Sequence, residues 1–223
     1  MSAKTLERTL GTSYRVAWTL LQRFRVAMVN KERDQLSGEV EIDETLVGGV
    51  QPGGKRGRGS SKSVVVIAVE LKQPKGFLGR VRMRHIPDAS GISLIPFVRN
   101  VVAPGSVVST DGWSGYSGLS DYEYIWKPTA LSSSGDPAHV SMPGVHRIAS
   151  LLDRWMLGTH QGSVDPDHLQ SYLEEFTFRF NRRTSRSRGL IFRRLLDQAT
   201  ITSPITEADV THGYEWPTQL YVD

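Results

Sequence analysis

One run of the chain reads Val40-Glu41-Ile42-Asp43-Glu44-Thr45-Leu46-Val47 and places an aspartate in an apolar, strand-like segment. A second run, Val107-Val108-Ser109-Thr110-Asp111-Gly112-Trp113, brings another aspartate to the end of a strand-like segment. A carboxylate among β-branched residues is costly to desolvate unless something compensates its charge. If the two strands are neighbours, a divalent cation held by oxygen ligands can compensate both carboxylates. The two runs therefore predict a metal-dependent active site on the edge of a β-sheet.

The segments around these runs predict an α/β domain. Residues 63–71 are expected to form a second strand, apolar on both faces and therefore central, and residues 79–86 alternate as a third. A helix up to residue 101 follows, then a fourth strand at 107–110, a short fifth at 122–126, and helices at 145–157, 166–180 and 190–199. This is the element order of the ribonuclease H-like fold, a mixed sheet with flanking helices. Its first and fourth strands are neighbours, which brings Asp43 and Asp111 together.

The N-terminal residues predict a small helical segment. Gly11 ends a short helix over residues 2–10, and Thr12 or Ser13 can cap the next helix. The apolar stripe of that helix consists of Ala17, Leu20, Leu21, Phe24 and Met28, and Arg15, Gln22, Arg23 and Arg25 lie largely off it. The outline fits a helix-turn-helix and two ordinary packed helices about equally well. The expected domains are this helical segment (1–36), a catalytic domain (38–200) and an irregular tail (201–223).

Composition and charge limit the class of protein. The chain of 223 residues has no cysteine, which excludes disulfides and thiolate zinc sites. No run approaches the ~20 apolar residues of a membrane helix, so a cytoplasmic protein without a membrane partner is expected.

The net charge is only +4, but the basic residues cluster. One cluster is a glycine-rich loop with Lys55, Arg56 and Arg58, and the other is a block of seven arginines: Arg179, Arg182, Arg183, Arg186, Arg188, Arg193 and Arg194. Arginine forks match phosphate oxygens, so the clusters favour DNA as a partner over a merely solvated face.

Four motifs resemble those of a known family. The first two are the aspartate runs, extended to Val47-Gly48-Gly49 and to Ser114-Gly115-Tyr116. The third is Gly158-Thr159-His160, and the fourth is a long helical motif that begins His168-Leu169-Gln170 and ends Phe178-Arg179-Phe180-Asn181-Arg182-Arg183. From Ala17 to Ala199 the chain is similar to the transposases of IS1595-type bacterial insertion sequences, which carry the ISXO2-like transposase domain.

The resemblance implies a DNA transposase that cuts and joins DNA with two divalent cations, Mg²⁺ or Mn²⁺. Asp43 and Asp111 would be two of its catalytic metal ligands. The third family ligand lies on the helix before the Gly-Thr-His motif, usually as Asn, Glu or His, and alignment on Gly158 places it at His146. The implied partners are the terminal inverted repeats and target DNA, bound by a homo-oligomer associated with the nucleoid.

Basic residues on several segments, together with one asparagine, are expected to contact DNA. They are Arg15, Arg23, Lys55, Arg56, Arg58, Arg147, Arg154, Asn181, Arg182, Arg183 and Arg186. Many relatives carry a lysine seven positions after the third ligand, where this chain has Asp153, so Arg147 or Arg154 is expected to supply that charge. Relatives also usually begin with a cysteine-bearing zinc ribbon. Its absence here leaves two alternatives, a truncated reading frame or a shorter DNA-binding region.

Three functions are therefore compatible with the sequence: an active transposase, a catalytically impaired remnant that only binds DNA, and a metal-dependent nuclease of the same fold.

Neighbouring residues carry less specific expectations. Glu44 points to the strand face opposite Asp43 and is expected to be exposed, whereas Glu41 shares the face of Asp43 and can support it. Tyr116 either stacks on a displaced base or packs its loop. Two glutamates of the long motif are expected to be surface charges: Glu174 and Glu175.

Overall fold

A computed structural model describes residues 1–29, 33–48, 62–74, 77–129, 142–161, 164–212 and 214 of the chain. These residues form two compact units. The sheet unit lies within Asp34–Trp155, and the helical unit combines Met1–Arg33 with Met156–Thr218. The domain boundaries expected near residues 36 and 200 remain predictions.

The sheet unit is built on a mixed sheet. Within the described residues its strands are β1 (Glu39–Val47), β2 (Ser63–Lys72), β3 (Phe77–Ile86), β4 (Val107–Thr110) and β5 (Ile125–Pro128). They lie in the order β3-β2-β1-β4-β5. β2 is antiparallel to both of its neighbours, whereas β4 is parallel to β1 and to β5. This order confirms the predicted ribonuclease H-like sheet, with β1 and β4 adjacent and β2 inside the sheet.

Among the described residues, three helical elements belong to the sheet unit in whole or in part. They are α3 (Gly91–Val101), a 3-10 helix (Ser114–Asp121) and α4 (Pro143–His160), whose first turns lie in this unit. The main core forms on the sheet face that carries Val40 and Ile42 of β1, because residues two apart on a strand share a face. α3 and the 3-10 helix cover that face, and their fully buried side chains include Leu94, Phe97, Val98, Tyr116 and Leu119.

The helical unit contains α1 (Ala3–Leu10), α2 (Tyr14–Ala27), α5 (Pro166–Asn181), α6 (Arg188–Ile201) and the short α7 (Glu207–Thr211). As predicted, Gly11 ends α1, with a φ of 63° that a residue with a side chain rarely adopts. Ser13 caps α2, because its hydroxyl oxygen accepts a hydrogen bond from the Val16 N–H. α1 and α2 confirm the predicted N-terminal helices, while the helix-turn-helix interpretation stays a prediction.

Three details differ from the sequence-based expectations. β5 begins at Ile125 rather than at residue 122, because residues 122 and 123 turn before Ile125 pairs with Val107. α7 lies within the segment that was expected to be irregular, and Thr206 and Asp209 form a capping box at its start. On α2, Arg25 lies off the predicted apolar stripe but is buried, because it has an internal ion-pair partner.

Candidate active site

Asp43 lies on β1, the strand at the middle of the sheet. Its side chain is 17% exposed, and its Oδ1 accepts a hydrogen bond of 2.8 Å from the Glu44 N–H. Asp43 points away from the core that contains Ile42, since neighbouring residues on a strand face opposite sides. The carboxylate is thus partly desolvated, on the sheet face where α4 begins.

Asp111 directly follows β4. The parallel register pairs Glu39 with Val107 and Glu41 with Ser109, so the same register continued by two residues sets Asp43 opposite Asp111. Gly112, the next residue, has a φ of 77° and turns the chain away from the sheet. Oδ1 of Asp111 accepts a hydrogen bond of 2.9 Å from the Trp113 N–H, which fixes the carboxylate at the end of the strand. Asp43, in the middle of β1, therefore lies beside the end of the adjacent parallel strand that Asp111 follows.

His146 lies in the first turn of α4. Its Nε2 atom is 3.9 Å from Oδ2 of Asp43, and its side chain is 30% exposed. The turn is held to the sheet by Glu41, whose Oε2 accepts a hydrogen bond of 2.8 Å from the Val145 N–H. The structure thus brings together Asp43 and His146, which are far apart in the sequence.

The donor types at this point suit a divalent cation. Two donors on one ion are separated by about 3 to 4 Å when each lies about 2.1 Å from the metal, so Asp43 and His146 are close enough to share one. Carboxylate oxygens and an imidazole suit Mn²⁺ better than they suit Mg²⁺. In the described part of the chain, however, no three Asp, Glu or His side chains converge closely enough to hold a metal ion. The donor types of Asp43 and His146 and their 3.9 Å separation are compatible with a shared cation.

Tyr116 is a buried tyrosine beside Glu44. Its ring is fully buried in the core, and its hydroxyl donates a hydrogen bond of 2.5 Å to Oε1 of Glu44. Burial raises the pKa of Tyr116 well above its ordinary value, and the negative charges of Glu44, Asp43 and Asp111 raise it further. Of the two roles expected for Tyr116, its burial supports packing over base stacking.

Glu44 differs from its expectation. It is half-buried beside Tyr116 rather than exposed. The sequence signal that could have found this pair is the alternation along β1, which puts Glu44 on the same face as Ile42 and the core.

Asp153 lies on α4, seven residues after His146. Partial desolvation raises the pKa of its carboxyl, and the positive charge of Lys62 opposes that shift. Seven residues span about 10 Å along a helix, so Asp153 is too distant to replace His146 as a simple ligand. Lys62, near the start of β2, is a cation close to Asp153 that was not among the expected DNA contacts.

The expected DNA contacts differ in their surroundings. Arg23, Arg147, Arg154, Arg183 and Arg186 are exposed, and Asn181 and Arg182 are half-buried. Arg15 is exposed and forms an ion pair with Glu207. The guanidinium of Arg182 stacks on the Phe178 ring, and both burial and the nearby Arg194 lower its pKa. Lys55, Arg56 and Arg58 lie outside the described residues.

The long helical motif supplies much of the interior of the helical unit. Glu175 is buried and accepts a hydrogen bond of 2.8 Å from Nε of Arg25, whose guanidinium also stacks on the Tyr172 ring. Glu174 is buried too and pairs with Arg33 at 2.8 Å. The expectation that these glutamates are surface charges was wrong, because each has an arginine partner. His160 packs edge-on against Tyr172, and burial lowers the pKa of its imidazole.

Comparison with known proteins decides the family. Residues 35–181 match the family model described as the ISXO2-like transposase domain, which covers more than half of the chain. The chain belongs to the ISXO2-like transposase family. The matched range of this transposase-family protein contains Asp43, Asp111 and His146, and it ends at the last residue of α5. No curated protein matches the chain.

No helix among the described residues combines the length and apolar character needed to cross a bilayer.

Proposed function

We propose that the chain is an active DNA transposase that cuts and joins DNA at the ends of an insertion sequence. Family membership supports transposition in general. The observation that carries the finer proposal is the approach of His146 Nε2 to within 3.9 Å of Asp43 Oδ2, beside the strand end that carries Asp111. Asp43, Asp111 and His146 would hold two divalent cations.

The charges around Tyr116 support this assignment. Asp43 and Glu44 are adjacent on β1, Asp111 follows the neighbouring strand, and the negative charges of all three raise the pKa of Tyr116. Grouped carboxylates repel one another, and a cation relieves that repulsion. Two bound cations would supply stabilisation of the negative charge that develops on the attacking and leaving oxygens of a phosphodiester. The protein residues orient these ligands: β1 fixes Asp43, the Gly112 turn fixes Asp111, and α4 fixes His146.

The proposed chemistry has two steps. In the first, a water oxygen bonds to the phosphorus at the end of the element, and the bond from phosphorus to the 3′-oxygen breaks to leave a free 3′-hydroxyl. In the second, that hydroxyl oxygen bonds to a phosphorus of target DNA and displaces another 3′-oxygen. Neither step requires a covalent protein intermediate or a nucleotide cofactor. Exposed arginines of α4 and of the α5–α6 region would bind the DNA backbone.

A strand-transfer assay tests the proposal. Purified protein is incubated with Mn²⁺ and a duplex that carries the terminal repeat flanking its gene, either intact or already cut at the 3′ end. The Asp43→Asn variant is expected to lose cleavage and joining while binding the duplex as before, because only the metal-binding charge is removed. Asp121→Asn, at the exposed end of the 3-10 helix, is the matched control and should behave as the unmodified protein does.

The same assay separates the alternatives. Cleavage without joining of the pre-cut end would identify a nuclease. Binding without either reaction would identify an impaired remnant, the reading that Asp153 permits. If Asp43→Asn retained both reactions, Asp43 would not be a metal ligand and the proposal would be wrong.

A further inference from the structure

Glu41 is a buried carboxylate two residues before Asp43 on the same face of β1. It is 4% exposed, and its Oε2 accepts a hydrogen bond of 2.8 Å from the N–H of Val145 in the first turn of α4. The first N–H groups of a helix have no partner within the helix, and the positive end of the helix dipole favours a negative charge there. Glu41 therefore makes a charge-assisted connection between the central strand and the start of α4.

Gly144 lets the two elements approach this closely. A Cβ atom at this position would lie 2.8 Å from Oε2 of Glu41 and 2.9 Å from Cδ2 of Leu71. Both distances are shorter than normal contacts. The first turn of α4 is thus seated directly on the sheet, with Glu41 on one side and leucines of β2 and β3 on the other.

The connection bears directly on His146. Val145, whose N–H is held by Glu41, is bonded to His146, whose Nε2 is 3.9 Å from Asp43. Glu41 and Asp43 are separated by a single residue on a strand, so the Glu41 contact and the Asp43–His146 approach are two connections between the same pair of elements. A shift of α4 along the sheet would change both together.

We propose that Glu41 is a positioning residue, which holds the first turn of α4 on β1 and so sets the separation between His146 and Asp43. The inference rests on the proposed function, because the pair it positions is the proposed metal-binding pair. Glu41 acts through the Val145 N–H rather than as a ligand. Loss of such a supporting partner typically weakens metal binding about 10- to 100-fold.

Mn²⁺ binding without DNA tests the proposal, measured from the electron paramagnetic resonance signal of free Mn²⁺ during titration. Glu41→Ala is expected to weaken Mn²⁺ binding about 10-fold or more. Glu41→Gln should recover most of the affinity, because the amide oxygen can still accept the hydrogen bond from Val145. Glu70→Ala is the matched control: Glu70 is also buried, on β2, and accepts hydrogen bonds from the Ser37 and Arg80 N–H groups. It should lose stability without losing Mn²⁺ affinity.

A second variant approaches the same contact from the helix. Gly144→Ala should also weaken Mn²⁺ binding, since its Cβ forces α4 away from Glu41. Gly158→Ala on the same helix is its control, because a Cβ there has no atom within 4 Å. This pair keeps the test decisive if Glu41→Ala does not fold.

Three outcomes would overturn the inference. Unchanged Mn²⁺ affinity in Glu41→Ala, or in Gly144→Ala if the former does not fold, would show that the contact does not position the pair. Equal losses in Glu41→Gln and Glu41→Ala would make Glu41 a ligand, and an equal loss in Glu70→Ala would reduce the effect to stability. A different result would contradict the proposed function itself: Asp43→Asn would bind Mn²⁺ as tightly as the unmodified protein does.

Discussion

Asp43 and Glu44 are adjacent carboxylates on β1 with different surroundings. The pleat of the strand turns Asp43 toward His146 and turns Glu44 toward the buried hydroxyl of Tyr116. Asp43 thereby lies near the imidazole of His146, while Glu44 is held by a short hydrogen bond at the edge of the core. The chemistry of each carboxylate is set by the strand face that carries it.

His146 predicts the metal preference. Because an imidazole is a better ligand for Mn²⁺ than for Mg²⁺, Mn²⁺ should support DNA cleavage at least as well as Mg²⁺. His146→Glu replaces the imidazole by a carboxylate and should shift the ratio of the two rates toward Mg²⁺, by about tenfold if the ligand is direct. Initial cleavage rates at matched metal concentrations measure this. A clear loss of activity when Mn²⁺ replaces Mg²⁺ would count against His146 as a ligand.

Tyr116 predicts an alkaline limit to stability. Burial in the folded chain raises the pKa of Tyr116 above the ordinary value of 10.0, so its contribution to the free energy of unfolding is complete below about pH 10. That contribution is lost as the pH rises further, because the unfolded chain then releases a proton that the folded chain keeps. Tyr116→Phe should be less stable by about 1 kcal/mol near neutral pH, through loss of the Glu44 hydrogen bond, and should show a shallower decline above about pH 10.

Urea unfolding at a series of alkaline pH values measures the Tyr116 effect. Tyr122→Phe is the control, because Tyr122 is 40% exposed. An alkaline decline that is identical in Tyr116→Phe and the unmodified protein would show that Tyr116 does not contribute to it.

At the scale of elements, α5 combines a family motif with an interior role. Its buried face includes Leu169, Tyr172 and Leu173 together with both glutamates, Glu174 and Glu175. Arginines reach these glutamates from α2 and from residue 33. Packing of the helical unit therefore explains the two glutamates of the motif.

The Arg25–Glu175 pair predicts a large loss of stability when one partner is removed. The side chains are 4% and 10% exposed, so Arg25→Ala leaves a buried carboxylate that keeps the hydrogen bond from Arg179 to its other oxygen. The expected cost is about 3 to 5 kcal/mol in the free energy of unfolding. Arg15→Ala, which breaks the exposed pair with Glu207, should cost at most about 1 kcal/mol. Urea denaturation compares them, and equal costs would contradict a special role for burial.

For the molecule as a whole, the distribution of charge matters more than its sum. The net charge of +4 is small, but exposed arginines follow one another from Arg183 through Arg186 and Arg188 to Arg194. Local concentrations of this kind attract a polyanion even when the total charge is modest. DNA binding by this segment is accordingly expected to depend strongly on salt.

Arg186→Ala tests the role of the segment in DNA binding. If Arg186 contacts one phosphate, its loss should weaken binding and reduce the slope of log affinity against log salt concentration by about 0.9. Arg99→Ala is the control: Arg99 is also exposed, but it stacks on Tyr122 and is not among the expected DNA contacts. Mobility-shift titrations across a salt series give both slopes. An unchanged slope in Arg186→Ala would exclude a phosphate contact by that side chain.

The sequence alone determined the architecture of the sheet. The order of periodic segments was enough to predict the sheet with β1 beside β4, the strands that carry or precede Asp43 and Asp111. Gly11 and Ser13 marked the ends of α1 and α2 equally well. These features follow from the backbone preferences and side-chain spacing of neighbouring residues, which can be read directly from the chain.

Only the tertiary structure decided which partner each polar side chain meets. Glu44 meets Tyr116 across 72 positions, Glu41 meets Val145 across 104, and Arg25 meets Glu175 across 150. No local pattern specifies such a pairing, because it depends on how distant elements pack once the chain has closed. A glutamate in a helix or strand has the same local signal whether it is solvated or buried against an arginine. Burial and the choice of partner are properties of the folded chain. They distinguish a buried, paired side chain such as Glu175 from an exposed one with the same local sequence signal.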